Sequence, residues 1–394
     1  MKPSGFRGMT IKVNRTSIKQ MMITSVLGVI SLFILVSVLT SFGQGRGFSS
    51  EYIHTWSAGL AGEQLLQVMG MENTHFTEPL PEGSRQMQLA PLAFHMVTSL
   101  NPEDPRSFLG RELPGFAFFD SQIYIAGVGT DYTTLSHESS PPIDVQLAER
   151  DAKQESLEKV IQLEKEAEEA KRQQAQSEQN TGEKKVVYII NTHDTESFLP
   201  ELNSDEAFNK KVNITQTSEK LKQELEKRGI GATREERSVQ ERVHEKGWEY
   251  TQSYDAAREF LTEAMESSPD FELYFDLHRD SSNRSKTTVT INGEEYARTF
   301  FVVGGNNPNS QYNTKMAEDL NALLEEKYPG LSRGVLTKEG SKTNGVFNQD
   351  LAPQSMLIEI GGVDNTLEET YRSSEALADV IAEYYWTIQE GEGS

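Results

Sequence analysis

Three short apolar runs in this chain each lead to a side chain that can bind a metal or carry a proton. The runs and these side chains are residues 186–190 with His193, residues 271–277 with His278, and residues 356–358 with Glu359. Buried strands of parallel sheets read as nearly continuous apolar runs, and open α/β sheets hold their sites beyond the carboxyl ends of the strands. The sequence therefore predicts that the three side chains converge at one edge of a sheet.

Segments with helical apolar spacing alternate with these runs. The predicted helices cover residues 213–227, 256–265, 314–327 and 367–387. Residues 287–291 and 299–303 flank Asn292-Gly293, a dipeptide typical of hairpin turns. The alternation predicts one α/β domain over residues 186–390, with a mainly parallel sheet and flanking helices.

His193 and Glu196 are three positions apart, a spacing that can bring both side chains to one metal where the chain turns out of a strand. His278 would then be a third ligand from a neighbouring strand. Imidazole and carboxylate ligands suit zinc, and a catalytic zinc site keeps one position open for water. Zinc lowers the pKa of that water to about 7, and Glu359 could act as general base and then as acid to a leaving amine. The chain has no cysteine, so a thiolate site is excluded.

Other interpretations of these residues stay open. A His-x-x-Glu pair is by itself a weak signal, and the polar cluster 276–280 around His278 could be a salt-bridge knot. Glu359 is flanked by apolar residues, and burying its carboxylate requires a metal, a cation or a hydrogen-bond donor. His244 is a spare ligand candidate, but residues 241–249 are predicted to form an exposed loop.

The N-terminal segment is predicted to anchor the chain in a membrane. No charge occurs between Lys19 and Arg46, and residues 21–43 are long and apolar enough to cross a hydrocarbon core of about 30 Å as a helix. Five basic residues precede this run, so the positive-inside rule keeps residues 1–20 in the cytoplasm and exports the rest. A cleaved signal peptide is the alternative, although its apolar region is typically shorter, about 7–15 residues.

Two further regions lie between the anchor and the α/β domain. Residues 50–135 are predicted to form a small N-terminal extracytoplasmic region, in which His54, His75 and His95 are surface or packing residues. Residues 136–185, rich in Glu, Lys and Gln, are predicted to be a charged linker, either a solvated helix or extended chain. The net charge of −22 argues against nucleic-acid binding.

Four separated motifs resemble the stage II sporulation protein P family of endospore-forming bacilli. They are NTHDTESF (191–198), DLHRDS (276–281), KTNGVFNQD (342–350) and IEIGGVDN (358–365). The resemblance implies a membrane-anchored, zinc-dependent N-acetylmuramoyl-L-alanine amidase that also cleaves peptide cross-links in peptidoglycan during engulfment. It further implies two partners, a lytic transglycosylase (stage II protein D) and a membrane protein (stage II protein M). The catalytic domain would be similar to that of cell-wall amidases.

The resemblance also bears on individual residues. Arg279, Asn344 and Asn348 lie in the motifs and are expected to contact substrate. Cell-wall amidases carry their glutamate ligand shortly before the first long helix, where this chain has Asn209. The expected carboxylate ligand is therefore Glu196, with Glu206 as the alternative. Two other functions remain possible from sequence: a zinc carboxypeptidase acting on wall peptides, and an anchored, non-enzymatic scaffold that binds glycan or partner proteins.

Overall fold

A seven-stranded, mainly parallel sheet forms the centre of the part of the chain that the computed structural model describes. That part is residues 121–392 without residues 139–140, 178 and 341–342, with side chains described to residue 390. Its strands are β1 (Ser121–Ala126), β2 (Val187–Ile190), β3 (Ala232–Arg234), β4 (Leu273–Asp280), β5 (Thr288–Ile291), β6 (Glu294–Ala297), β7 (Thr299–Gly304), β8 (Ser332–Lys338) and β9 (Ser355–Gly362). The large sheet has the order β1-β8-β7-β9-β4-β2-β3, and β5 and β6 form a separate pair.

Helices cover both faces of the sheet. They are α1 (Ile143–Leu147), α2 (Gln154–Gln176), α3 (Ile214–Lys227), α4 (Val239–Glu245), α5 (Ser253–Ser267), α6 (Arg284–Thr287), α7 (Ser310–Lys327) and α8 (Leu367–Glu392). The largest apolar cluster joins one sheet face to α3, α7 and α8, and a smaller cluster joins the other face to α4 and α5. The predicted α/β architecture with a mostly parallel sheet is therefore confirmed.

The alternation of side chains along β4 and β9 separates apolar from functional residues. Phe275, Leu277 and Ile358 point into the large cluster beneath α3, α7 and α8. Because successive side chains point to opposite faces, His278 and Glu359 lie on the other face, the one covered by α4 and α5.

The hairpin prediction is correct in its turn and wrong in one of its strands. Asn292 and Gly293 both have positive φ, 53° and 89°, as a two-residue hairpin turn requires. The strand that returns from this turn is β6, which pairs with β5 in antiparallel register. Residues 299–303 instead belong to β7, in the interior of the large sheet between β8 and β9.

The segment predicted to be a solvated or extended linker contains a packed helix. Leu163 and Ala170 of α2 are 3% and 0% exposed, and Leu157 and Val160 pack against the large apolar cluster. The side-chain amide of Gln223 on α3 donates to the carbonyl of Leu163 at 2.9 Å. A buried stripe along one side of the helix thus joins it to the folded unit, in spite of its highly charged composition.

The region predicted upstream of the linker also contributes to the sheet. β1 lies within residues 50–135, yet it pairs with β8 in antiparallel register and forms one edge of the large sheet. Among the described residues, no helix has both the length and the apolar character needed to cross a membrane. The predicted anchor at residues 21–43 and the histidines His54, His75 and His95 lie outside the described residues.

Replacing Leu163 by alanine tests the packing of α2. We expect a loss of about 2–5 kcal/mol in the free energy of unfolding, because a buried leucine leaves a cavity when truncated. Ile161 lies in the same helix and is 49% exposed, so Ile161→Ala should cost about 0.5 kcal/mol or less. Urea unfolding of the purified protein measures both, and equal small losses would show that α2 does not pack.

Candidate functional site

The sheet register brings His278 and Glu359 side by side. Their Cα atoms are partners in the parallel pairing of β4 with β9. His193 follows β2, the other neighbour of β4, and enters the same site. His193, His278 and Glu359 are each at most 1% exposed. Three separated segments thus deliver these side chains to one buried volume.

Asp276 fixes the point at which the chain leaves β2 toward His193. Its carboxylate accepts hydrogen bonds from the backbone nitrogen of Thr192 at 2.9 Å and from the Thr192 hydroxyl at 2.6 Å. His278 Nε2 lies 3.0 Å from Asp276 Oδ1, within ion-pair distance but without the geometry of a hydrogen bond. Burial opposes protonation of His278, but the Asp276 charge outweighs it and raises the pKa of His278 to about 10.

Glu138, His193 and His278 form a group that could hold a metal ion. One ligand atom from each lies within 4.8 Å of the other two. Glu138 Oε2 is 3.2 Å from His193 Nε2. Atoms that share a tetrahedral metal at about 2.0–2.2 Å lie about 3.3–3.6 Å apart. The spacing of Glu138 and His193 is therefore close to that of two ligands.

Glu138 is held by the protein through both carboxylate oxygens. Oε2 contacts His193, and Oε1 accepts a hydrogen bond from the Tyr254 hydroxyl at 2.9 Å. Burial opposes ionisation of Glu138, but the hydrogen bond and charge of His193 outweigh it and hold the pKa of Glu138 well below its usual range. The preceding residue lies against β4, where the His137 carbonyl accepts from Ser281 N at 3.1 Å.

Several other polar atoms of the site are buried without a hydrogen-bond partner among the described residues. They are Glu196 Oε1, both ring nitrogens of His278 and both carboxylate oxygens of Glu359. Leaving such groups unpaired is costly, and a bound cation would satisfy carboxylates and imidazoles together. The donor set of these residues and His193 fits zinc, which binds nitrogen and oxygen ligands of this kind.

Glu196, the carboxylate ligand expected from sequence, lies outside the close group of three. Its Oε2 accepts a hydrogen bond from Arg279 N at 2.9 Å, and its Oε1 has no hydrogen-bond partner among the described residues. Metal-binding carboxylates are commonly oriented by such a bond. Both carboxylate oxygens of Glu138 have partners within the protein, whereas only one carboxylate oxygen of Glu196 does. The assignment of Glu196 as a ligand therefore stays a prediction, with Glu138 as its competitor.

Glu359, the expected general base, carries a strongly perturbed carboxyl group. Burial, together with the neighbouring charge of Asp280, raises the pKa of Glu359 to about 8 against the opposing charges of His278 and Lys338. No described residue donates a hydrogen bond to this carboxylate. A cation beside it would favour the ionised form.

Aromatic rings form the wall of the site. The Tyr250 ring stacks on His193 with centroids 4.5 Å apart, and the Tyr254 ring stacks on His278 at 6.1 Å. The hydroxyl of Tyr250 is buried and has no hydrogen-bond partner in the described part of the chain. These rings hold both imidazoles in place and exclude water from that side.

The comparisons with known proteins agree with this arrangement of motifs. The family "Stage II sporulation protein P" matches residues 103–382. The chain is also 40% identical over 388 residues to stage II sporulation protein P of Bacillus subtilis (strain 168), a match that covers 98% of this chain and 96% of the relative. The chain belongs to the stage II sporulation protein P family. It is thus a member of a family of sporulation proteins, and the resemblance inferred from the four motifs is confirmed.

In this family member, the residues expected to contact substrate have three different surroundings. Arg279 is fully buried, and its guanidinium donates to the Ala207 carbonyl at 3.2 Å. Asn344 accepts a hydrogen bond from Phe347 N at 2.6 Å, which shapes the loop before β9. Asn348 is buried and donates to the Tyr254 carbonyl at 2.8 Å. Their contact with substrate stays a prediction, and Arg279 in this arrangement supports the fold.

The alternative ligands considered from sequence lie away from the buried site. Glu206 and His244 are both exposed. His244 lies on α4, so the loop predicted over residues 241–249 is partly helix. Asn209 accepts hydrogen bonds from Lys211 N and Val212 N at 2.8 and 2.9 Å, which shapes the turn before α3.

Sequence reasoning missed Glu138 and Tyr254. Glu138 lies in a stretch whose composition predicts a linker and which has no apolar period. Tyr254 lies in a helix where a tyrosine is an ordinary packing residue. The two residues form a hydrogen bond although they are 116 positions apart in the sequence, so no local spacing could have indicated it.

Metal content of glutamine variants decides between the two carboxylates. We expect Glu196→Gln, like His193→Ala and His278→Ala, to lose stoichiometric zinc, because each removes an atom that the metal would satisfy. Glu138→Gln should retain it. Elemental analysis of the purified proteins after gel filtration gives the stoichiometry. Loss of zinc in Glu138→Gln with retention in Glu196→Gln would assign the ligand to Glu138.

Proposed function

We propose that this protein is a membrane-anchored, zinc-dependent peptidoglycan hydrolase that cleaves the amide bond between N-acetylmuramic acid and L-alanine. The observation that carries the proposal is the set of buried, unpartnered atoms of Glu196, His278 and Glu359 beside His193, among the residues that the structure describes. Membership of a sporulation family supports a role for this hydrolysis in engulfment. Cleavage of peptide cross-links is a second activity that the same site could perform.

The chemistry follows from the groups that surround the site. A zinc ion held by His193, His278 and one carboxylate would polarise the amide carbonyl and acidify a water molecule. Glu359 accepts the proton of the water as its oxygen attacks the carbonyl carbon. Glu359 then delivers that proton to the amide nitrogen as the carbon–nitrogen bond breaks. The products are the carboxylate of the muramic acid and the free amino group of L-alanine.

The burial of the site residues restricts the access of substrate to the site. The two histidines and the carboxylates Glu196 and Glu359 are at most 1% exposed, whereas the proposed substrate is a polymer. Glu138 Oε2 also lies 3.2 Å from His193 Nε2; if Glu196 is the carboxylate ligand, Glu138 would stand where a catalytic zinc site needs room for water or substrate. Productive binding therefore requires that the segment carrying Glu138 moves away from the histidines.

Glutamine at position 359 tests the assignment of the proton carrier. Glu359→Gln should keep the metal and the fold and should reduce hydrolysis by about 10²–10⁴-fold, the usual contribution of a general base. Purified sacculi are digested, and newly exposed amino termini are identified in the released fragments. Glu326→Gln, at an exposed position of α7, is the matched control.

Each outcome of this digestion has a defined meaning. New amino-terminal alanine supports the amidase, and release of a carboxyl-terminal amino acid would support a zinc carboxypeptidase instead. Near-normal cleavage by Glu359→Gln would assign proton transfer to another residue. No cleavage by the unmodified, zinc-loaded protein would favour the anchored scaffold.

We also propose that the protein is a single-pass membrane protein whose N-terminus is cytoplasmic and whose folded domain faces the wall. The five basic residues before the apolar run support this orientation. Peptidoglycan would be its substrate, and the stage II proteins D and M implied by the family resemblance would be its partners.

The lack of cysteine allows a direct test of this orientation. Ala322 is exposed on α7, so Ala322→Cys should react with a membrane-impermeant maleimide on intact protoplasts. Ser4→Cys should react only after lysis. Labelling of position 4 in intact protoplasts, with protection of position 322, would reverse the proposed orientation.

A further inference from the structure

A buried lysine with no charged partner among the described residues faces the candidate site. Lys338 is the last residue of β8 and is 9% exposed. No described residue forms an ion pair or hydrogen bond with its ammonium group, which lies 5.9 Å from the centre of the Phe347 ring. Lysines are rarely buried without a partner. This cation therefore requires a role that packing alone does not supply.

The sheet register places Lys338 on the face of the sheet that carries the site. Leu336 of β8 is the partner of Val302 on β7, and Val302 is the partner of Leu357 on β9. Residues two positions apart on a strand share a face, so Lys338 lies on the same face as Glu359. Its positive charge lowers the pKa of Glu138 and opposes the upward shift in the pKa of Glu359.

Residues 343–350, the described part of the third motif, form a loop beside Lys338 and α5. Phe347 and Asn348 both adopt left-handed backbone conformations, with φ of 53° and 55°. Such a conformation is common for asparagine in turns but uncommon for phenylalanine, and strained residues of this kind cluster at functional sites. The two conformations place the Phe347 ring against both Lys338 and Tyr254, whose ring centre is 5.4 Å away. Asn348 donates to the Tyr254 carbonyl at 2.8 Å and ties this loop to α5.

An anion already occupies the space that these groups surround. The Glu138 carboxylate accepts a hydrogen bond from the Tyr254 hydroxyl, contacts His193 and lies in the field of Lys338. A substrate that displaces Glu138 would meet the same hydroxyl and the same ammonium. Groups placed in advance where negative charge develops stabilise it strongly in a site that excludes water.

We propose that Tyr254 and Lys338 form an anion-binding pocket that receives a negatively charged oxygen of the substrate beside the metal. This inference rests on the proposed amidase function and adds to it the residues that recognise the anion. The oxygen belongs either to the scissile carbonyl as charge develops on it, or to a carboxylate of the wall peptide. Both sources have the same chemistry, and binding and turnover experiments separate them.

The test uses the full-length, zinc-loaded protein and a soluble muropeptide. Lys338→Met removes the charge and retains much of the side-chain shape, Lys338→Arg keeps the charge, and Tyr254→Phe removes only the hydroxyl. Lys315→Met is the control, because Lys315 is an exposed lysine on α7. We expect Lys338→Met and Tyr254→Phe to lower kcat/KM by about 10²-fold or more, with Lys338→Arg between these and the unmodified protein.

Binding separates the two sources of the anion. The dissociation constant of the muropeptide is measured on a Glu359→Gln background with and without Lys338→Met. An unchanged constant together with a loss in kcat assigns the pocket to the developing oxyanion. A constant weakened by about tenfold or more, which corresponds to about 1.4 kcal/mol, assigns it to a substrate carboxylate.

Two results would overturn the proposal. The first is a kcat and a dissociation constant for Lys338→Met that both match those for Lys315→Met. The second is loss of zinc from a folded Lys338→Met, which would show that the lysine only balances the buried carboxylates. If Lys338→Met does not fold, Tyr254→Phe decides by the same two measurements. An inactive unmodified protein would refute the amidase function, and the binding measurement would still test the pocket.

Discussion

The pairing of β4 with β9 is the constraint on which the rest of the site depends. It sets His278 beside Glu359 on one face of the sheet, while the alternate residues of both strands enter the main apolar cluster on the other face. A shift of one residue in this register would turn the polar side chains of one strand into the main apolar cluster and its apolar side chains into the site. The stability of the sheet and the geometry of the site are therefore set by the same interaction.

This arrangement buries polar and charged groups without hydrogen-bond partners on one face of the sheet. Glu196, His278 and Glu359 are buried, and several of their polar atoms have no partner among the described residues. Tyr254 and the segment carrying Glu138 close the site from above, and Lys338 supplies a positive charge from the side. A bound metal would coordinate the unpaired atoms. These buried atoms destabilise the fold when they are unpaired, and they also suit the site to hold a cation.

Much of the sheet could be predicted from the sequence because its central strands are continuous apolar runs. Residues 186–190 and 356–358 correspond closely to β2 and to the middle of β9, and the α3 helix ends just before Gly229, whose φ is 84°. The Asn292-Gly293 turn is likewise identifiable from its residue types. The strand that follows this turn is not, because residues 294–297 contain two glutamates and a single large aromatic.

Other features depend on contacts that are distant in sequence. The packing of α2 relies on a narrow stripe that includes Leu163 and Ala170, within a segment whose composition is dominated by charge. Glu138 contacts His193, which lies 55 positions away in the sequence. Lys338 shares the sheet face of Glu359 only through the order of the strands, in which β7 alone separates β8 from β9. Local pattern carries no information on any of these three contacts.

X-ray absorption at the zinc edge of the purified, full-length protein tests the central claim most directly. The account predicts one zinc per chain in a shell of nitrogen and oxygen ligands, with the outer-shell scattering of two imidazoles, and loss of that signal when His278 is replaced by alanine. Absence of stoichiometric metal, or a zinc spectrum without imidazole scattering that is unchanged in His278→Ala, would contradict it.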